Sequence, residues 1–365
     1  MNTRVLAAAV PEPETQGDRS RRARWTLLAL AAGLLAVAVL SLGHGALQVP
    51  PDRIVGILAS AVGLGDAARF NHFEMHVVLH LRLPRVLLAM LVGSALAVSG
   101  AALQGLFRNP LADPGLVGVS AGAALGAVTV IVLGATWLHG MTAWLGIYTL
   151  PLAAFIGGLA ATLLVYRLAQ QGGYTPVATL LLAGIAINAV AGAGTGLLTF
   201  IADDQQLRSL TFWTMGSLGG ASWSNLAAAA PLILLPMLAL PVLAMALNAF
   251  LLGESVAQHL GVRVEHIKIL VVTLTAMAVG AAVAVSGIIG FVGLVVPHLL
   301  RLWMGPDHRY LLPGSALLGA FLLLLADLLA RNVVAPAELP IGLITALVGG
   351  PFFLALLLRR RGMYS

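Results

Sequence analysis

An all-α membrane protein with about ten transmembrane helices, arranged as an inverted repeat, is the fold class this sequence predicts, and three observations carry it. Of 365 residues, 59% are hydrophobic and 9% charged, against roughly 25% charged in an ordinary soluble domain. Apolar runs of about 20 residues recur, punctuated by glycine, proline and charge, as helices crossing a hydrocarbon core of roughly 30 Å require. The alternating segments of about 10 residues that a membrane β-barrel needs are absent. Finally, AVSG stands at Ala97–Gly100 and again at Ala284–Gly287, and SAGAALGA at Ser120–Ala127 is echoed by SALLGA at Ser315–Ala320. Matches in the same order suggest an internal duplication.

Taken in order, residues 1–24 form a polar, arginine-rich tail, predicted to be disordered and cytoplasmic, and 25–360 form a single membrane domain. The run Trp25–Leu42 is longer than a signal-peptide core of about 7–15 residues, so it is read as the first membrane helix. Nine further spans follow at about 84–107, 115–135, 144–168, 177–201, 226–250, 265–289, 293–304, 311–331 and 340–358, the eighth too short to cross comfortably. With the tail inside, six of the twenty basic residues (Arg53, Arg69, Arg82, Arg85, Arg208 and Arg331) fall outside and the other fourteen inside. That bias supports a topology with both termini cytoplasmic. The second and seventh spans are then opposed in direction, so the duplication is inverted: spans two to five against seven to ten.

Composition excludes several functions. There is no cysteine, hence no disulfide, thiolate metal site or thiol catalysis. The net charge of +6 suits arginines at a membrane face, and no nucleic-acid site is read into it. No resident metal is predicted, and no His/Glu/Asp cluster inside the spans suggests a membrane enzyme. The single lysine, Lys268, follows Ile267 rather than glycine, so no phosphate-binding GxxxxGK[ST] loop exists. Any ATP must be handled by another chain.

Small residues from Gly93 to Ala102 let the second span pack closely against its neighbours. Asn109-Pro110-Leu111-Ala112-Asp113-Pro114-Gly115 reads as a sharp connector in which Asn109 and Asp113 cap helix ends. Asp327, inside LLLLADLLAR, needs a partner in lipid, and Arg331 one turn later offers an i,i+4 ion pair. His72, His76 and His80, spaced i, i+4, i+8, share one face if their segment is helical. Such a face could meet an arriving iron chelate, or be a set of surface histidines.

RLPR at Arg82–Arg85, the long run Ala97–Ala127, SGIIGFVGLVVPHLLR at Ser286–Arg301 and the segment Ala326–Phe353 together resemble the FecCD permease family. These are membrane subunits of ABC importers for iron-siderophores, haem and cobalamin. The resemblance covers about residues 25–360 and implies a type II ABC importer permease in the bacterial inner membrane. It implies a homodimer with the substrate path on its axis, two separate ATPase subunits inside and a periplasmic binding protein outside. By the same resemblance Gly253, Glu254, Ser255, His259, Leu260 and Gly261 belong to a coupling helix near 253–261. Arg82, Arg85 and Arg331 match arginines that pair with binding-protein carboxylates, and Val177 and Ala178 match an inner gate by position only. The stretch Gln206–Leu218 is most similar to haem permeases, so Arg208 could meet a propionate; His298, in the PHLLR motif, is either structural or lines the path. Haem is the first expectation for the cargo, with a ferric siderophore or cobalamin next. An ion-coupled secondary transporter, which inverted repeats also allow, is the rival from another class.

Overall fold

The computed structural model describes residues 16–45, 47–65 and 69–361. In chain order the helices are α1 (Gln16–Gly43), α2 (Pro51–Ala61), α3 (His72–His76), α4 (Leu83–Leu106), α5 (Val119–Leu133), α6 (His139–Leu145), α7 (Thr149–Ala169) and α8 (Val177–Ile201). They continue as α9 (Asp204–Thr214), α10 (Trp223–Val242), α11 (Ala244–Leu251), α12 (Glu254–His259), α13 (Val264–Ser286), α14 (Val292–Met304), α15 (His308–Asn332) and α16 (Ile341–Arg361). Among the described residues, 7 helical segments are long and apolar enough to cross a membrane, and α5, α14 and the apolar part of α16 supply shorter ones. The sum agrees with about ten spans.

The segments between spans hold most of what periodicity left undetected. A π-helical turn, Val77–Arg82, joins α3 to α4, and α2, α6 and α9 are short helices without a long apolar signature. The sixth span is divided at Leu243, just after the last of three internal prolines, Pro231, Pro236 and Pro241, each of which removes a backbone donor. The expected disordered tail is corrected in part. Residues 1–15 lie outside the described residues, but from Gln16 the chain is helical and continuous with the first span. Arginine and alanine are good helix formers, and Arg22 lies over the Trp303 ring, 4.5 Å from its centroid.

The inverted repeat is visible as an exchange of neighbours. The first helix of one half, α4, packs along α15 and α14 of the other, while α13 packs along α7 and α5. The sequence echoes, however, do not mark its register. AVSG lies inside α4 but closes α13, and SAGAALGA lies in α5 whereas SALLGA lies in α15 rather than α14. Short strings of small residues recur because close helix contacts require them, wherever in the repeat they occur.

Those contacts form the core. From Val92 to Leu106 every residue of α4 is buried. A Cβ at Gly93 would overlap the Gly319 carbonyl of α15, and one at Gly100 the Gly293 carbonyl of α14. Helices in lipid associate by such packing because apolar burial gives them no advantage over lipid tails. Gly100→Leu should therefore cost about 1–3 kcal/mol or more through overpacking, read as a lower thermal midpoint in detergent. Gly140, with nothing within 4 Å of its Cβ position, should tolerate alanine within about 0.5 kcal/mol.

Candidate functional site

The polar side chains of the bundle collect at two ends, and the end near α3 is closed by arginines. Asp327, fully buried on α15, accepts from Arg85 Nε at 3.0 Å and lies 3.1 Å from Arg331 Nε. Arg85 also grips Glu338 in a two-pronged pair, both N–O distances 2.9 Å. Arg331 reaches the Ser41 hydroxyl of α1 at 2.6 Å. The expected i,i+4 pair of Asp327 and Arg331 is thus present, inside a larger network joining α1, α4, α15 and the segment after α15. Hydrogen bonding from Arg85 holds the Glu338 carboxyl below its usual range.

This geometry corrects the expectation that all three arginines stand ready for a binding protein. Arg82 is buried and donates to the carbonyls of Leu42, at 2.6 Å, and Leu47. The π-helical turn ends at Arg82 and the side chain is tucked beneath the α1–α2 connection. The Arg331 side chain is 9% exposed and Arg85 12%, both neutralised within the chain, whereas Glu338 is 43% exposed. Burial decides this: unpaired guanidinium groups in a span are costly, and the chain supplies its own carboxylates. Asp327→Asn should cost about 3–5 kcal/mol, since two buried arginines would lose their shared anion. Thermal unfolding in detergent checks it, and Arg331→Met added to it should recover part of the loss.

The histidines divide. His76 and His80 stack with ring centroids 4.9 Å apart and planes 11° from parallel, both exposed. His72 is exposed at the first residue of α3, outside that stack. His72 and His76 lie within α3 and His80 within the π-helical turn, and the stack joins the last two. Arg208 is exposed on α9, which begins with a capping box of Asp203 and Gln206. His298 is buried on α14 with its ring edge-on to Phe352 of α16, centroids 6.0 Å apart. Its side chain therefore belongs to helix packing and does not line an open surface, which corrects its reading as a path residue.

At the opposite end, the predicted coupling segment forms a separate short helix, α12, between Gly253 and Gly261. Ala257 is buried, while Ser255, Val256, His259 and Leu260 are exposed, Val256 at 44% and Leu260 at 63%. His259 Nδ1 lies 2.7 Å from the Ser255 carbonyl, fixing the helix's own register. Glu254 is drawn inward to Lys268. Val177 opens α8 half-buried and Ala178 is exposed beside it, neither with a polar side-chain atom. In the NPLADPG connector Asp113 caps a short 3-10 helix, Pro114–Val117, accepting from Gly115 N–H as expected, whereas Asn109 accepts from Leu111 N–H within a turn and caps no helix. Next to it Gln104 donates to the Gly293 carbonyl and accepts from Arg301, linking the two halves.

Between α14 and α15, Asp307 caps α15, accepting from the Arg309 backbone N–H at 3.0 Å and from Asn248 of α11 at 2.7 Å. Burial pushes its carboxyl up, but hydrogen bonds from Arg309 and Asn248 more than offset this, leaving it at about 2 against an ordinary 3.8. The depressed value means that its contribution is complete above about pH 4 and lost as pH falls toward 2. Asp307→Asn should lower the melting midpoint at pH 6, and the gap to the unsubstituted protein should narrow at pH 2.5.

A bundle of inverted halves, with a closed charged network at one end and a short exposed helix at the other, is the architecture of a membrane transporter subunit. The chain belongs to the FecCD transport family, whose model matches residues 17–359. It is 55% identical over 295 residues to the hemin transport system permease protein HmuU of Yersinia pestis, covering 81% of this chain and 87% of that one. To the cobalamin import system permease protein BtuC of Halobacterium salinarum it is 45% identical over 277 residues, covering 76% and 72%. Its fold matches a solved ABC transporter described as being of metal-chelate type, in an inward-facing conformation. The TM-score is 0.79 at 34% identity, covering 92% of this chain and 99% of that chain. The fold is that of an ABC importer permease.

Proposed function

We propose that the chain is the permease subunit of an ATP-driven importer that carries haem across the bacterial inner membrane, as a homodimer working by alternating access. The observation that carries the haem assignment is the 55% identity to a hemin permease, against 45% and 41% to cobalamin permeases. Cobalamin is the second reading on that same comparison. ATP is bound and hydrolysed by two partner ATPase subunits, because this chain has no phosphate loop. Both termini are cytoplasmic in this reading, and α12 seats the ATPase. In its favour are the exposed Val256 and Leu260 on a helix of 6 residues, too short to be stable without a partner.

The periplasmic binding protein lands on the face that carries Glu338. There its carboxylates compete with Glu338 for Arg85, the outermost guanidinium of the network. Exposed pairs of this kind are worth about 0 to 1 kcal/mol each, so they orient docking more than they hold it. The exposed faces of α8 and α9, with Val177 and Ala178 at the inner end and Arg208 at the outer, border the path on the dimer axis. His76 and His80 offer the arriving chelate two imidazoles. A proton-coupled mechanism is disfavoured by the position of Asp327, its carboxylate shared between two arginines.

Proteoliposomes containing the permease, its ATPase and its binding protein should accumulate haem only with ATP, and faster than cyanocobalamin. Uptake driven by a proton or sodium gradient without the ATPase would overturn the reading. Preference for cyanocobalamin would transfer the cargo to the second reading. Unchanged haem uptake with His72, His76 and His80 all replaced by alanine would remove the histidines from the path.

A further inference from the structure

Lys268 is the chain's only lysine, and it lies at the start of α13 with its side chain 3% exposed. An ammonium has three N–H donors, and here each goes to a different group. One reaches Glu254 Oε2 on α12 at 2.7 Å, one the Thr175 carbonyl in the α7–α8 connector at 2.9 Å, and one Glu265 Oε1 on α13 at 3.0 Å. The Tyr174 ring covers the remaining side, its centroid 4.5 Å from Nζ, where a cation is attracted to the aromatic face. The α7–α8 connector, 93 residues away in sequence, therefore meets α12 and α13 on one buried charge.

The placement of those segments gives the arrangement its meaning. Glu254 is the first residue of α12. Thr175 is separated from α8 only by Pro176, whose ring fixes its backbone. On its other side the connector runs through Gly172 and Gly173, at φ 55° and 85°, with nothing within 4 Å of either Cβ position. The two glycines make a tight turn closed by backbone hydrogen bonds between Gln171 and Tyr174, at 2.8 and 3.0 Å, and Pro176 stiffens the join to α8, so the connector can move as a unit. Charge-assisted hydrogen bonds to a buried ammonium are short-range and strong. Displacing α12 alone would break one of them and leave the buried ammonium underbonded.

We propose that Lys268 is a positioning residue that ties α12 to the α7–α8 connector, so that a displacement of α12 is passed to the inner end of α8. The inference rests on the reading of α12 as the ATPase seat and of Val177 and Ala178 as the inner gate, and adds the physical link between them. Glu254 and Thr175 are the two members that bridge between elements. Glu265, on the same helix as the lysine, also meets Tyr166 of α7 but joins neither α12 nor the connector to it, and so lies outside the proposed tie.

That asymmetry makes the proposal testable against a purely structural role. In proteoliposomes with the ATPase and binding protein, with haem as the probe, Glu254→Gln should lower haem transported per ATP hydrolysed at least about fivefold, with hydrolysis largely kept. Glu265→Gln should change that ratio less than about twofold, and Lys268→Met should behave like Glu254→Gln with Lys268→Arg restoring part of the coupling. Because the chain has no cysteine, spin labels at Gln258→Cys and Gln171→Cys report the distance from α12 to the connector in the full complex. That distance should stay constant between the nucleotide-free and ATP–vanadate states, and should change between them once Glu254→Gln is added. Equal losses for Glu254→Gln and Glu265→Gln, or a constant distance in the Glu254→Gln background, would overturn the tie while leaving the importer reading intact. No ATP-dependent uptake by the unsubstituted permease would overturn both.

Discussion

A charge that must sit inside a membrane bundle has to be neutralised by the bundle itself, and the arrangement of this protein follows from that constraint. The cost of an unpaired ion in hydrocarbon exceeds what any single packing contact returns. Two closed groups, one at each end, therefore hold Asp327 and Lys268, while buried Arg82 is satisfied by backbone carbonyls instead. At one end Asp327 is shared by Arg85 and Arg331, with Glu338 completing the count. At the other, Lys268 is shared by Glu254 and Glu265.

Each group also joins at least one pair of elements that the chain keeps far apart. The arginine network binds α4 of the first half to α15 of the second, the same pair whose backbones touch at Gly93 and Gly319. The lysine group binds α12 and the α7–α8 connector to α13. A transporter must hold its halves together while letting its ends respond to partners. Here rigidity comes from backbone contact in the middle, and the ends are linked by hydrogen bonds, which can be exchanged.

Much of this was legible in the sequence, because long apolar runs and the i,i+4 spacing of Asp327 and Arg331 are local signals. The short helix α12 was legible too, as a polar insert bounded by glycines. What escaped has a common cause. The partner of Arg85 is Glu338, 253 residues away, and nothing local in RLPR says that its arginines turn inward. The π-helical turn that ends at the buried Arg82 carries no pattern of its own. Lys268 read only as an inside charge and as evidence against a phosphate loop, although a lone lysine three residues after Glu265 was a signal for a buried pair. The AVSG echo misled in its register, since small residues recur wherever helices touch.

The central claim is that energy enters this chain through α12. The most direct measurement is retention of the ATPase on the purified permease when the exposed end of that helix is charged by Leu260→Glu. The account predicts that the ATPase is lost from the detergent-solubilised complex while the thermal midpoint of the permease itself is unchanged. An ATPase retained in full stoichiometry by the Leu260→Glu permease would contradict it.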